Sequence, residues 1–341
     1  MDQPLDAAHN PQSLMQIYMG MMGSRVLSAA VQLDLFSRLA EGHTTAPAVA
    51  QALSASERGT RMLLDALSAL GLLRKADGRY QLLPASQAYL VRSSPDYAAA
   101  LMETDDLWDA WGQLADVVRT GRPVHTLERE ERAEAFFPTL IRSLHVLNRE
   151  PARRLAEALA VEARTGELRV LDIGAGSAVW SIAVAEACPK ASVTAQDFAG
   201  MLGETRRFVE RHGLSKRFDY LAGDLHEVSF GTARFDLALL GNIIHSEGEG
   251  SARNLFRRLH TALRPGGRIA IVDFVPAEDR SGPPPAVLFA ITMLINTEHG
   301  DTFTFSEYRT WLGEAGFTAI GTLDIGHQIG FAASAIVATK G

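Results

Sequence analysis

The chain has 341 residues, too many for one ordinary domain, so two domains are the expectation; 47% hydrophobic against 21% charged residues is the composition of packed globular structure. The net charge of −7, acidic on both sides of residue 150, argues against a face built to neutralise a phosphate backbone, and nucleic acid is not an expected partner. A lone Cys188 rules out an internal disulfide, no basic-then-apolar leader pattern stands at the start, and the longest apolar run, Val287 to Ile295, is too short for a bilayer. The expected setting is the cytoplasm, with no membrane partner.

Apolar residues at Leu14, Ile17, Tyr18, Met21 and Met22, continuing through Val26, Leu27, Ala30, Val31, Leu35, Phe36 and Leu39, predict a helical segment over 13–40. Its broad, methionine-rich face suits a core, a dimer interface or an adaptable pocket wall. Thr44-Thr45 ahead of Ala46-Pro47 starts a short helix to Leu53, and a second is expected from Glu57 to Leu70, stopped by Gly71. Leu72 to Lys75 and Tyr80 to Leu83, joined across Asp77-Gly78, read as a hairpin.

Helix, turn, helix, hairpin is the winged-helix pattern, usually associated with DNA. Here Arg58, Arg61, Arg74, Lys75 and Arg79 only slightly outnumber Glu57, Asp65 and Asp77. The run Ala66-Leu67-Ser68-Ala69-Leu70-Gly71-Leu72-Leu73, with the wing and Leu83-Pro84-Ala85-Ser86 after it, resembles the winged-helix dimerisation domain of small-molecule O-methyltransferases. The resemblance covers most of residues 13–92 and implies a homodimer formed through this domain.

Between 95 and 165 the chain is expected to be mainly helical. Trp108, Trp111, Phe136 and Phe137 supply bulky apolar surface, and Pro138 is expected at a helix entrance. In the family resembled, the equivalent helices roof the acceptor pocket. Residues 1–150 are therefore read as dimerisation domain plus pocket roof, and 151–341 as the catalytic domain. Arg142 to Ala163 bridges the two; Ser143 and His145 on it either face a cofactor or serve in ordinary packing.

Val170 to Ile173 reads as a buried parallel strand, Gly174 and Gly176 turn the chain, and helical spacing resumes from Ser181. Glycines let backbone amides approach a ligand closely, and the helix start beyond offers free N–H groups. A dinucleotide fingerprint would have a third glycine where Val179 stands, which argues against nicotinamide and flavin. Asp172-x-Gly174-x-Gly176 instead resembles the first motif of class I S-adenosylmethionine (SAM)-dependent methyltransferases, although their frequent next glycine is Ala178 here. SAM is thus the expected cofactor.

Ala191 to Ala195 forms a second strand, closed by Asp197, which lies 25 residues beyond Asp172, where a carboxylate accepts ribose hydroxyls. Tyr220 to Leu225 ends a third, and the resemblance implies that Asp224 accepts from the adenine amino group while Leu225 packs on the ring. Phe235 to Leu240 is a fourth strand, delivering Gly241-Asn242-Ile243-Ile244-His245, with Asn242 counted in the cofactor set. Leu263-Arg264-Pro265-Gly266-Gly267-Arg268 turns into a fifth strand, Ile269 to Asp273. Phe317 to Ile325 and Ile329 to Thr339 read as two strands that resemble the reversed terminal hairpin of class I methyltransferases. The expected fold is an α/β Rossmann-like sheet with that hairpin, preceded by the helical winged-helix domain.

His245 stands where plant-type and bacterial O-methyltransferases carry their general base, in a motif commonly Leu-His-Asp-Trp and here Ile244-His245-Ser246-Glu247. A neutral imidazole suits deprotonation of an aligned hydroxyl. Asp273, 28 residues on, matches the family's acid that orients the base. Ile291 to Ile295, with Met293, reads as a pocket-facing helix, and Asn296 to Asp301 as a polar loop. The family's second flanking acid aligns with Thr302, with Asp301 beside it and Glu298 a turn earlier, so no residue takes that role. His245, Asp273 and Glu298 would make a metal triad only in a suitable geometry, and the spacing fits no standard metal motif; no metal is expected. Gly241 replaces a lysine common in plant relatives, and Gly248 and Gly250 replace acids, which predicts a looser loop.

The resemblance implies a SAM-dependent O-methyltransferase acting on a phenolic or otherwise hydroxylated small molecule, as in natural-product biosynthesis. Two alternatives are a relative using SAM for hydroxylation, decarboxylation or cyclisation, and a winged-helix DNA-binding regulator.

Overall fold

The helical segment expected over 13–40 is two helices in the computed structural model, which describes residues 11–125, 130–160, 166–328 and 331–341. Helix α1 (Pro11–Gln32) and α2 (Leu35–Ala40) are separated by Asp34, whose φ of 56° no helix tolerates. The Asp34 carboxylate holds the break by accepting from Ser37 Oγ at 2.5 Å and Arg38 at 3.1 Å. Helix α3 (Ala46–Leu53) is capped by Thr45 and α4 (Glu57–Ala69) by Ser56, each through a side-chain oxygen accepting a backbone N–H. Strands β1 (Leu73–Ala76) and β2 (Arg79–Leu82) pair antiparallel across Asp77 and Gly78, both at positive φ, and α5 (Pro84–Tyr89) follows.

Two basic residues of this winged unit, Arg61 and Lys75, pair with one of its own acids. Asp65 accepts from Arg61 at 3.0 Å, Lys75 at 2.6 Å and the Tyr80 hydroxyl at 2.7 Å, while Arg79 donates to Thr44 at 2.7 Å. In contrast, α1 leaves Leu14, Met15, Ile17, Tyr18, Met19, Met21 and Met22 exposed along its first half.

The chain divides into two compact units, the first ending at Asp105 and the second beginning at Asp106. Helices α6 (Asp106–Gly112) and α7 (Leu114–Thr120), with the part of α8 (Glu130–Ala158) before residue 150, belong to the second unit, whereas the sequence reading groups them with the first domain. Helix α8 runs straight through Pro138 instead of starting there. Trp108 is 40% exposed and Phe137 half-buried; the side chain of Phe136, residues 161–165 and Ile329 lie outside the described residues.

The rest of the second unit is a seven-stranded sheet. In chain order it comprises β3 (Leu168–Ile173), α9 (Val179–Ala187), β4 (Ala191–Asp197), α10 (Ala199–Arg211), β5 (Phe218–Ala222), β6 (Phe235–Gly241) and α11 (Ile244–Ala262). Then come β7 (Leu263–Val272), α12 (Pro284–Asn296), α13 (Phe305–Glu314), β8 (Phe317–Gln328) and β9 (Phe331–Lys340). The strand order is β5-β4-β3-β6-β7-β9-β8, with β3 to β7 parallel and β9 antiparallel to both its neighbours. The last strand along the chain is thus an inner one, and Lys340 at its end donates to the carbonyls of His260 and Leu263.

Alternation along the strands separates two cores. Val170, Val193, Leu237 and Leu239 face α8, α9 and α10; Leu171, Ile173, Ala238, Leu240 and Ile271 face α11 and α13. The chain leaves β3 toward β4 on one side and returns to β6 on the other. A crevice therefore opens at the carboxyl ends of β3 and β6, where ligands bind in open α/β sheets.

Candidate active site

The predicted glycine turn lies in that crevice. Gly174 and Gly176 have φ of 58° and 51°, which favour glycine, and a Cβ at Gly174 would lie 2.8 Å from Ile243 Cδ1. A Cβ at Gly176 would meet Ile141 of α8 at 3.3 Å, so α8 covers the turn. The helix after it starts at Val179, two residues earlier than its spacing predicted, because Ala178 also takes a left-handed φ of 55°.

The carboxylates expected to hold a ligand reach this turn from three strand ends. Asp172 closes β3, is 1% exposed and accepts from Ser181 Oγ of α9 at 2.5 Å. Burial, with the Asp197 charge adding to it, pushes its pKa from 3.8 up to about 7. Asp197 at the end of β4 accepts the Gly176 N–H on one oxygen and the Phe198 N–H on the other, each at 2.8 Å, which ties β4 to the glycine turn. Gln196 donates to the Gly223 carbonyl at 2.7 Å and so draws in the end of β5, where Asp224 is partly exposed and Leu225 buried.

Asn242, directly after β6, sits at φ 59°, and its N–H is used by the Val272 carbonyl at 2.8 Å. Its Oδ1 is buried with no hydrogen-bond partner among the described residues. An orphaned buried acceptor calls for a donor, and the ammonium of SAM is one; with the two carboxylates of Asp172 and Asp197 at neighbouring strand ends, the residues present fit this cationic group. The lysine of plant relatives has no room here, since a Cβ at Gly241 would lie 2.1 Å from Nε1 of buried Trp180.

His245 begins the first turn of α11 and is 6% exposed. Asp273, at the end of β7, binds it twice: Oδ1 lies 2.6 Å from the ring Nδ1, and Oδ2 accepts the His245 backbone N–H at 3.1 Å. Because Nδ1–H is committed to Asp273, Nε2 is the nitrogen left to take a proton. The walls are aromatic. Phe289 of α12 meets the imidazole edge-on at 4.8 Å between centroids, and Phe274 stacks on Phe289 at 3.8 Å. Met293 of the same helix is buried against Ser246.

The polar loop after α12 supports the histidine from behind. Asp301 N–H donates to the His245 carbonyl at 2.9 Å, while its carboxylate turns to Arg280 at 3.4 Å; Glu298 is exposed, and Thr302 is buried. Among the described residues no three His, Cys, Asp or Glu side chains cluster as metal ligands do. Gly248 breaks α11 at φ 72° and fits tightly, since a Cβ there would meet His299 Cβ at 2.8 Å. The looser loop expected from this glycine is instead a close approach of two segments.

His145 packs on Phe208 at 4.3 Å between centroids, and burial pushes its pKa down to about 3, so it is neutral. Ser143 Oγ, His145 Nδ1 and Asn148 Oδ1 are all buried without a hydrogen-bond partner among the described residues. The sequence reading missed Tyr308 of α13, fully buried, whose hydroxyl donates to Asp273 Oδ2 at 2.9 Å. It also missed the pair formed by His226 Nε2 and Glu247 at 3.1 Å, which joins the Asp224 loop to the start of α11.

Comparison with known proteins follows the same division of the chain. A family model described as the O-methyltransferase domain matches residues 111–318, and one described as the O-methyltransferase dimerisation domain matches residues 15–92. The chain is 29% identical over 323 residues to 3-hydroxy-5-methyl-1-naphthoate 3-O-methyltransferase of Streptomyces sahachiroi, covering 92% of this chain and 91% of that protein. It is 32% identical over 320 residues to acetylserotonin O-methyltransferase of Rattus norvegicus, covering 89% and 72% respectively. Among solved structures it is similar to human N-acetylserotonin methyltransferase in complex with SAM, with a TM-score of 0.84, 27% identity and 100% of each chain covered.

Proposed function

Because the chain belongs to the O-methyltransferase family, whose members here pair a dimerisation domain with a SAM-dependent catalytic domain, we propose that its reaction is run by His245 as general base and Asp273 as its orienting acid. The observation that carries this reading is the 2.6 Å contact between His245 Nδ1 and Asp273 Oδ1 at the sheet crevice, under an aromatic wall. SAM, when bound, supplies an electrophilic methyl group and leaves as S-adenosylhomocysteine. Asp172, Gly174, Gly176 and Asn242 hold its amino-acid end, Asp197 accepts from the ribose, and Asp224 with Leu225 takes the adenine.

His245 Nε2 accepts the proton of the acceptor hydroxyl, leaving the oxygen free to attack, and Asp273 stabilises the imidazolium so formed. Phe274, Phe289 and Met293 exclude water and favour a flat, hydroxylated aromatic acceptor. Relatives named for a hydroxynaphthoate and for tetracenomycin polyketide synthesis support a role in natural-product biosynthesis. The exposed apolar half of α1 is the surface through which the chain forms a homodimer.

The test is an assay with SAM and a panel of hydroxylated bicyclic aromatics, followed by mass spectrometry. Methylated product and S-adenosylhomocysteine should accumulate one for one, and His245→Ala should lower turnover by about 10²- to 10⁴-fold while cofactor binding persists. Product without S-adenosylhomocysteine would favour non-methylating chemistry, and unchanged turnover would remove His245 from the mechanism.

A further inference from the structure

Asp273 is fully occupied. Its Oδ1 accepts from His245 Nδ1 at 2.6 Å and from the Phe274 N–H at 2.8 Å; its Oδ2 accepts from the His245 N–H at 3.1 Å and from the Tyr308 hydroxyl at 2.9 Å. Three of these donors lie on the two segments that the carboxylate already joins, β7 and the start of α11. Tyr308 alone arrives from α13, more than thirty residues away, and it is 0% exposed. We propose that Tyr308 is a positioning residue of the reaction, fixing the plane of the Asp273 carboxylate so that its other oxygen meets His245 Nδ1 squarely. This inference rests on the assignment of His245 and Asp273 above.

A carboxylate turns about its Cβ–Cγ bond, a broad torsion with no sharp preference of its own, so hydrogen bonds on both oxygens are what hold its plane. The Tyr308 ring is itself clamped by aromatic neighbours, with Phe303 at 6.2 Å, Phe256 at 6.4 Å and Trp311 at 5.9 Å between centroids. The helix beneath it is started by a full capping box, in which Thr304 and Glu307 satisfy each other's backbone N–H, and Glu307 is also held by Arg280. A hydroxyl placed this firmly acts as a fixed reference point for the acid. Burial and the neighbouring Asp273 charge both raise its pKa well above the ordinary value, so it remains a donor.

Tyr308→Phe removes the hydroxyl and keeps the ring. With SAM and a hydroxynaphthoate acceptor, kcat should fall about tenfold, the size of one hydrogen bond to a charged group, while KM for either substrate stays within about twofold. In an Asp273→Asn background the same change should cost less than about twofold, because the two residues act as one unit. A second readout needs no acceptor: the proton on His245 Nδ1, assigned by its loss in His245→Gln, should give a sharp downfield NMR signal that broadens or vanishes in Tyr308→Phe. Should Tyr308→Phe fold poorly, 3-fluorotyrosine placed at 308 keeps the ring and makes the hydroxyl a stronger donor to Asp273, so the His245 signal should shift, and an unmoved signal would overturn the proposal. Wild-type kcat and an unmoved signal in Tyr308→Phe, or an equal loss in the Asp273→Asn background, would overturn the proposal. If Asp273→Asn itself leaves turnover and the His245 signal untouched, the underlying assignment fails instead.

Discussion

Asp172 is a carboxyl group at the carboxyl end of a central strand, 1% exposed, with Ser181 as its side-chain donor and Asp197 as a charged neighbour. Its pKa stands at about 7 against an ordinary 3.8. At about 1.4 kcal/mol for each tenfold, ionising it in the folded chain costs about 4 kcal/mol more than in the unfolded one. The sign follows from proton counting. Between pH 4 and pH 7 the folded chain holds a proton that the unfolded chain has released, so stability falls as pH rises through this window and levels off above it.

Asp172→Asn is neutral throughout. It should be more stable than the parent at pH 8 by up to about 4 kcal/mol, with the advantage shrinking to nothing near pH 4. Cofactor binding should run the other way. A cationic amino-acid end stabilises the ionised carboxylate, so the parent's affinity for SAM should rise between pH 6 and pH 8, with a proton released on binding, and Asp172→Asn should bind weakly with no such dependence. Urea denaturation at pH 5 and pH 8, and calorimetry in two buffers of different ionisation enthalpy, measure both halves. Parallel stability profiles for parent and variant, or equal affinity at pH 8, would refute the reasoning.

Gly174→Ala should destabilise the fold by about 1–2 kcal/mol through its left-handed φ and weaken SAM binding about tenfold or more as Ile243 is displaced, which thermal melts and calorimetry would report. Gly300→Ala places a Cβ 2.5 Å from the His245 carbonyl and from Thr297 Oγ1; kcat should fall about tenfold with SAM affinity unchanged, and a loss confined to affinity would contradict the bracing role given to this loop. Ile17→Glu with Met21→Glu should convert a dimer to monomer in light scattering, and an unchanged mass would place the dimer contact elsewhere.

Much of this was legible in residue order, because each signal was local. The Asp172-x-Gly174-x-Gly176 turn, the apolar runs of β3, β4 and β6, the Asp77-Gly78 hairpin and the Thr45-Pro47 helix start each state their geometry within a few residues. The pairing of His245 with Asp273 was readable only through resemblance, since nothing in either segment says that they meet. Tyr308 was hidden because a tyrosine on an amphipathic helix reads as core, and its partner Asp273 lies just past a distant strand. Gly248 misled for a related reason: sequence displays a missing side chain but not the His299 that lies against the gap. Asp34 was missed because a helical face on both sides of it kept the same period while one residue broke the backbone.

The placement of β9 between β7 and β8 sets an order of events during synthesis. While residues 331–340 are still inside the ribosome, β7 shows an unpaired edge and β8 has no sheet to join, so the nascent chain carries a sticky margin beside the strand that leads into Asp273. A product truncated before Phe331 would leave that margin permanently open, fit for chaperones and proteases and unfit for turnover. Pairing on both sides makes β9 the strand that closes the β7 edge and fastens β8 to the sheet.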